Sequence, residues 1–413
     1  MFGLEQFLQT RDAFFLQRGQ IVNYGAGLVV LTAAVVWLLK YYHKFYLARV
    51  HLAVLLLAGL SFTSQLWTLA PKSFDMYYSS ARPYFILFLL VAPIITLDKR
   101  SIKDGIRTAL LIGIPLVYLF VFVVDWEGRG IRLAAPTFDN GRLTWIAPPL
   151  ALSSMAAYIG IISIIITPKQ LLFKLIFIFT AALAFYVTFR TQSRGQLLAM
   201  GIVTLICYPL ANRATRLKGL FITTAGFSVL ALGLYLVFTN LELGTINRWS
   251  ENKVQGDLEG RFAMLQTLLQ KWSSGGPFTL LFGIGSAGAF SVSGFYVHNL
   301  PGEILGELGL IGMGIFTYIY IETIINSMKI IKKLDYYPET RRESIAIIAL
   351  FIFGTIISLK QGSFFSWPEL FFFAIAIAHL EKHSRSLVAQ DWEWRRLFLI
   401  NASKQNQRLG IAR

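Results

Sequence analysis

The sequence predicts an all-α polytopic membrane protein, with residues 1–413 forming a single integral membrane domain, and three observations carry that expectation. Hydrophobic residues fill 55% of the 413 positions and charged residues only 15%. Mean hydropathy is +0.58. Apolar runs of membrane-crossing length recur along the whole chain. Spans are read at 21–39, 50–67, 84–97, 108–124, 146–166, 171–189, 195–211, 219–238, 303–327, 344–359 and 364–380. As helices they thread ~30 Å of hydrocarbon with every backbone group satisfied internally, the shorter ones drawing on their flanks. The expected architecture is a bundle of about 11–12 transmembrane helices, the parity turning on the Phe14–Phe15 region. The first span is not read as a cleavable signal, because polar residues 1–20 precede it and no small-residue cleavage site follows.

A net charge of +16 raises the question of nucleic acid, but its distribution excludes that reading. Segments 40–49, 98–107, 167–174, 212–218, 329–342 and 381–413 hold 24 of the 38 lysines and arginines. If the spans alternate, these segments share one side, which the positive-inside rule makes cytoplasmic, with 381–413 as a cytoplasmic tail. The basic excess then reflects topology and contact with anionic membrane lipids. The single cysteine, Cys207, lies in an apolar span and reads as a small packing residue; no Cys/His cluster offers zinc ligands.

One long segment, 239–302, is left on the opposite side. It contains RFAMLQTLLQKW, where Phe262, Leu265, Leu269 and Trp272 recur at helical spacing, as in a helix lying on a membrane surface. Gly283, Gly285 and Gly288 match GxGxxG, but neither a βαβ unit nor a suitably placed acidic residue accompanies them. A flexible connection allowing close backbone approach is the better account.

Cations gather at the same side. FRTQSRGQ sets Arg190 and Arg194 at a junction between spans, and Arg261 follows Gly260 in the long loop. Arg190 reads equally well as a snorkelling interfacial residue. Arg194 begins a helix, whose N-terminus already favours anions, so it suits a phosphate better than a topological anchor. In VHNLPGEILGELGLIG, Pro301 fits the first turn of a helix, placing His298 just before its N-terminus. That position keeps the imidazole neutral and able to accept a proton from an alcohol. Asn299 could cap the helix or meet a sugar, Glu303 could orient the ring, and Glu307 lies deeper on the same face. An interfacial histidine beside two packing glutamates is the competing account.

These residues also carry a family likeness. SRG at 193–195, GR at 260–261, LFGIGSAG at 281–288, HNLPGEILGELGLIG at 298–312 and SQLWTLAPKSFD at 64–75 resemble, in order and placement, the O-antigen ligase family and its polymerase and protein O-oligosaccharyltransferase relatives. The resemblance implies a GT-C-like glycosyltransferase in the bacterial inner membrane, its active site facing the periplasm. The implied donor is a glycan on undecaprenyl pyrophosphate, and the acceptor is a hydroxyl of the lipid A–core oligosaccharide. His298 matches the family's essential histidine, Arg194 and Arg261 match its arginines, and Arg190 matches less distinctively. No cofactor or metal is implied.

Three rivals stay open on the sequence. A polymerase would use the same histidine and arginines. A metal-dependent transferase would use Asp125 and Glu127 of DWE. A lipid-glycan flippase would need charged or broken-helix sites near mid-membrane.

Overall fold

The computed structural model describes residues 20–41, 46–70, 99–124, 149–212, 251–294, 297–334, 337–361 and 367–386, with isolated positions between them. These are helical, and no strand occurs among the described residues. The helices are α1 (Gln20–Tyr41), α2 (Arg49–Thr63), α3 (Lys99–Phe122), α4 (Pro149–Ile165), α5 (Leu171–Arg190) and α6 (Arg194–Asn212). They continue with α7 (Glu251–Ser273), α8 (Pro277–Phe282), α9 (Gly288–Ser293), α10 (Leu300–Lys333), α11 (Pro338–Ser358) and α12 (368–386). The expected spans at 84–97 and 219–238 lie outside the described residues, as do 239–250 and 387–413.

Five stretches are long and apolar enough to cross a membrane: Arg49–Leu66, Arg100–Phe122, Leu171–Arg190, Arg194–Asn212 and Leu300–Lys333. Their faces divide as a bilayer requires. On α10, Phe316, Ile319, Thr323 and Ile330 are buried at helical spacing, while Ile321, Ile324 and Met328 are exposed. A water-facing surface of that kind would aggregate, whereas lipid tails cover it without cost. Phe120, Leu152, Met200, Phe353 and Phe371 belong to one continuous core that joins α3, α4, α6, α11 and α12. The chain is an α-helical membrane protein.

Basic residues tie one end of the bundle together. Arg341 Nε donates to Leu210 O at 2.8 Å and Arg342 Nη1 to Thr167 O at 3.2 Å, each near the C-terminal end of a helix, where cations are favoured. Lys333 pairs with Glu381 at 2.7 Å. Two expected boundaries shift here. Of the basic stretch 98–107, residues 99–107 form the first turns of α3 rather than a loop, and the expected tail at 381 begins inside α12, which is described to 386.

At the other end the long segment is more structured than a loop carrying a surface helix. α7 packs against the start of α10, with Leu265 over Gly302 and Leu268 over Gly306, two small residues one turn apart that let the helices approach. Leu268 is fully buried while Phe262 is 68% exposed. The apolar stripe is therefore rotated from the expected one, because these glycines accept residues 265 and 268. Leu268, Ile284, Ala289 and Val297 form a second, smaller apolar core.

α10 is 34 residues long, or ~51 Å, well beyond the ~30 Å of hydrocarbon. It is broken at Gly309, whose φ of 67° and ψ of −163° leave the helical region. A side chain there would collide with Leu281 O and Gly283 N, so glycine is required. The carbonyls released by the break do not stay open. Ile284 N donates to Gly306 O and Gly285 N to Glu307 O, both at 3.0 Å. This is the role of the GxGxxG glycines: their backbone docks on the broken helix.

Candidate active site

The α5–α6 turn positions the first cation. Thr191 Oγ1 donates to Thr188 O at 2.7 Å and to Ser193 Oγ at 3.1 Å, and Gln192 takes a left-handed φ of 53°. The chain thus reverses in three residues and sets Arg194 at the first position of α6. Arg194 Nη2 donates to Asp257 Oδ2 of α7 at 2.9 Å. Its Nη1 is buried and takes no hydrogen bond among the described residues. Such a donor is costly to leave in place unless something else accepts from it.

Asp257 and Arg261 are four residues apart on α7, hence on one face and about one turn from each other. Arg261 Nη1 donates to Lys360 O at 3.0 Å. His298 follows the buried Val297 and adopts a left-handed φ of 56° directly before α10. Burial and, secondarily, the nearby Arg261 guanidinium push its pKa down to about 4. The ring is therefore neutral near pH 7. The expectation of neutrality rests on the helix terminus, but desolvation and Arg261 are the causes found.

Asn299 caps α10, its Oδ1 accepting from Gly302 N at 2.8 Å while its Nδ2 donates to Leu359 O at 2.9 Å. Glu303 differs from expectation. Its buried Oε1 accepts from Phe364 N at 3.1 Å, so it fixes the α11–α12 connector. Glu307 acts similarly on the other side: Oε2 accepts from Ala287 N at 3.0 Å and Oε1 from Ala289 N at 3.1 Å. Two carboxylates at the mouth of an apolar helix are thus explained as backbone clamps for the two segments that wall the site.

The connector is what sequence reading missed. Leu359 O meets Asn299, Lys360 O meets Arg261, Gln361 Oε1 accepts from Gln196 Nε2 at 2.8 Å, and Phe364 N meets Glu303. Four bonds draw α6, α7 and α10 onto six residues of chain. Lys360 itself lies against Gly195, where a Cβ would strike its Nζ and Cδ. Asp257 was likewise unmarked. The one available signal was a lysine at the end of the bundle opposite the basic loops.

The structure therefore brings Arg194, Arg261, His298, Asn299 and Glu303 into one neighbourhood. Arg190 is engaged apart from it, donating to Tyr186 Oη at 2.9 Å with its guanidinium 4.8 Å above the Trp126 ring. That is an aromatic–cation anchor. Asp125 and Glu127 lie outside the described residues. The two remaining resemblant segments meet: Ser286 N donates to Ser64 Oγ at 2.9 Å and Thr68 Oγ1 to Ser286 O at 2.6 Å. A scan of protein-family models gives no match to this chain, and neither does a search of curated proteins.

Proposed function

We propose that this chain is a membrane-embedded GT-C-like glycosyltransferase of the O-antigen ligase type, working on the periplasmic face of a bacterial inner membrane. Its donor is a glycan carried on undecaprenyl pyrophosphate and its acceptor a hydroxyl of the lipid A–core oligosaccharide. The observation that carries this reading is a neutral histidine within electrostatic reach of Arg261, one helical turn from the Arg194–Asp257 pair. A base beside cations is what transfer from a lipid diphosphate needs.

In the reaction, the acceptor oxygen bonds to the anomeric carbon while the bond from that carbon to the phosphate oxygen breaks. The hydroxyl proton passes to His298, and the electron pair leaves with the diphosphate. Attack opposite the leaving group inverts the anomeric configuration. Arg194 and Arg261 neutralise the charge that grows on the departing diphosphate, an effect concentrated in the transition state. Asn299 and Glu303 are positioning residues, holding the connector against α10.

The break at Gly309 does not favour transport, since the released carbonyls of Gly306 and Glu307 already accept from the backbone. Transfer measured with purified protein, lipid-linked donor and core acceptor tests the proposal. His298→Ala should lower the rate by about 10²–10⁴-fold, and wild-type activity should persist in excess EDTA because the arginines supply the positive charge. Activity of His298→Ala within a few-fold of wild type would remove the histidine as base; transfer that stops in EDTA and returns with magnesium would overturn the arginine mechanism.

A further inference from the structure

Arg49 opens the membrane-crossing stretch Arg49–Leu66, at the end of the bundle where Lys333 and Arg385 also stand. An arginine so placed ordinarily snorkels to the bulk headgroups. Two observations set Arg49 apart. It has no hydrogen-bond or ion-pair partner among the described residues, although carboxylates stand at the same end. Glu381 is taken by Lys333 and Arg385, and Glu322, one turn beyond Tyr318 on α10, lies within electrostatic reach of Arg385. Arg49 also lines a groove of about 340 Å³ between α2 and α10, with Leu52, Ala53 and Leu56 on one side and Gly314, Ile315 and Tyr318 on the other. That volume falls within the ~300–1,000 Å³ of small-ligand sites.

Gly314 keeps the groove open. Gly302 and Gly306 of the same helix accept Leu265 and Leu268, but nothing lies within 4 Å of where a Cβ of Gly314 would stand. Leu56 and Tyr318 are exposed at the rim, and the Tyr318 hydroxyl has no hydrogen-bond partner among the described residues. The lining runs inward from Arg49 to Leu56 on α2 and from Tyr318 to Gly314 on α10, so the polar head and the apolar trough align on both helices. This is the division of an amphiphile. A guanidinium fork matches phosphate oxygens, a phenol donates to them, and the trough below takes hydrocarbon. A zwitterionic headgroup brings its own ammonium, which the guanidinium repels, whereas an anionic one does not. We propose that this groove binds an anionic glycerophospholipid of the surrounding leaflet, its phosphate on Arg49 and Tyr318 and an acyl chain along Gly314. Tyr318 lies ~27 Å along α10 from Leu300, so the groove is separate from the transfer site and the proposal does not depend on the transferase reading.

The test uses full-length protein in detergent micelles and measures the Kd of the first bound lipid by native mass spectrometry, with dioleoyl phosphatidylglycerol and dioleoyl phosphatidylcholine as probes. Wild type should bind phosphatidylglycerol about tenfold more tightly than phosphatidylcholine, the order expected for one charge-assisted contact. Arg49→Gln should remove that preference by weakening phosphatidylglycerol alone, and Arg49→Lys should keep part of it. Gly314→Leu fills the trough with the charge intact, and should weaken both lipids because the acyl chain is excluded. Added salt should weaken phosphatidylglycerol binding to wild type more than to Arg49→Gln. Arg100, whose side chain is 90% exposed on α3, is the control, and Arg100→Gln should bind both lipids like wild type. An equal loss in Arg100→Gln would mean a diffuse basic surface and overturn the site. Wild-type binding in both Arg49→Gln and Gly314→Leu would also overturn it. So would a wild-type dimer that Gly314→Leu makes monomeric with lipid affinity unchanged, since a second copy would then fill the groove. Undecaprenyl diphosphate binding more tightly than phosphatidylglycerol, with the same dependence on Arg49, would replace the phospholipid as occupant and refute the assignment.

Discussion

Glu307→Ala tests the clamp that holds the 283–294 segment on the broken helix. The carboxylate is 5% exposed, and the two amides it accepts from belong to Ala287 and Ala289, which are 3% and 1% exposed. Ala287 also holds a left-handed φ of 61°, which costs a non-glycine residue about 1–2 kcal/mol and has to be held in place. Truncation leaves two buried N–H groups without an acceptor, at about 1–3 kcal/mol each, so the segment should lose about 2–6 kcal/mol of local stability. Glu307→Gln keeps one acceptor oxygen and turns an amide donor towards the second N–H, so its loss should fall in the lower half of that range. The assay is hydrogen exchange on peptides covering 281–294 in detergent. A loss of about 2 kcal/mol corresponds to about thirtyfold faster exchange through local opening. Exchange in Glu307→Ala within threefold of wild type would refute the clamp.

Two further predictions concern the groups proposed to carry the transfer. Without a ligand, burial and then Arg261 push the His298 pKa down to about 4, below the ~6.5 of an unfolded histidine. Between those values the unfolded chain binds the proton, so its contribution to stability is full above ~6.5 and is lost as pH falls towards 4. The acid limb of kcat/KM should accordingly lie near 4, while that of kcat should lie higher, because bound diphosphate offsets Arg261; coincident limbs would show that Arg261 does not act on the base. Arg261→Gln should raise the free-enzyme limb without reaching 6.5, since burial, the larger cause, remains. For the arginines, Arg194→Ala and Arg261→Ala should each lose about 10²-fold or more in kcat/KM, with lysine recovering only part. Arg190→Ala should stay within a few-fold in the same steady-state assay, given its seat on Trp126; an equal loss would return Arg190 to the phosphate site.

The sequence by itself determined the class of protein and the five spans seen among the described residues. Hydrocarbon length and backbone satisfaction leave a membrane helix little freedom, so apolar runs such as 171–189 and 195–211 map onto α5 and α6 within a residue. It also marked His298, Arg194 and Arg261, because a proline in the first turn, a span junction and a glycine–arginine step are local signals. Asn299 was legible as a cap for the same reason. Tertiary structure decided what has no local signature. Glu303 and Glu307 bond backbone amides 61 and 18–20 residues away, so no spacing rule could reveal those partners. The break in α10 depends on Leu281 and Gly283 approaching Gly309, and helix periodicity passes through it unnoticed. Lys360, Asp257 and Gln361 entered the site because α6, α7 and α10 converge on the α11–α12 connector. Contacts between residues distant in sequence are set by packing, which hydropathy and local propensity do not encode.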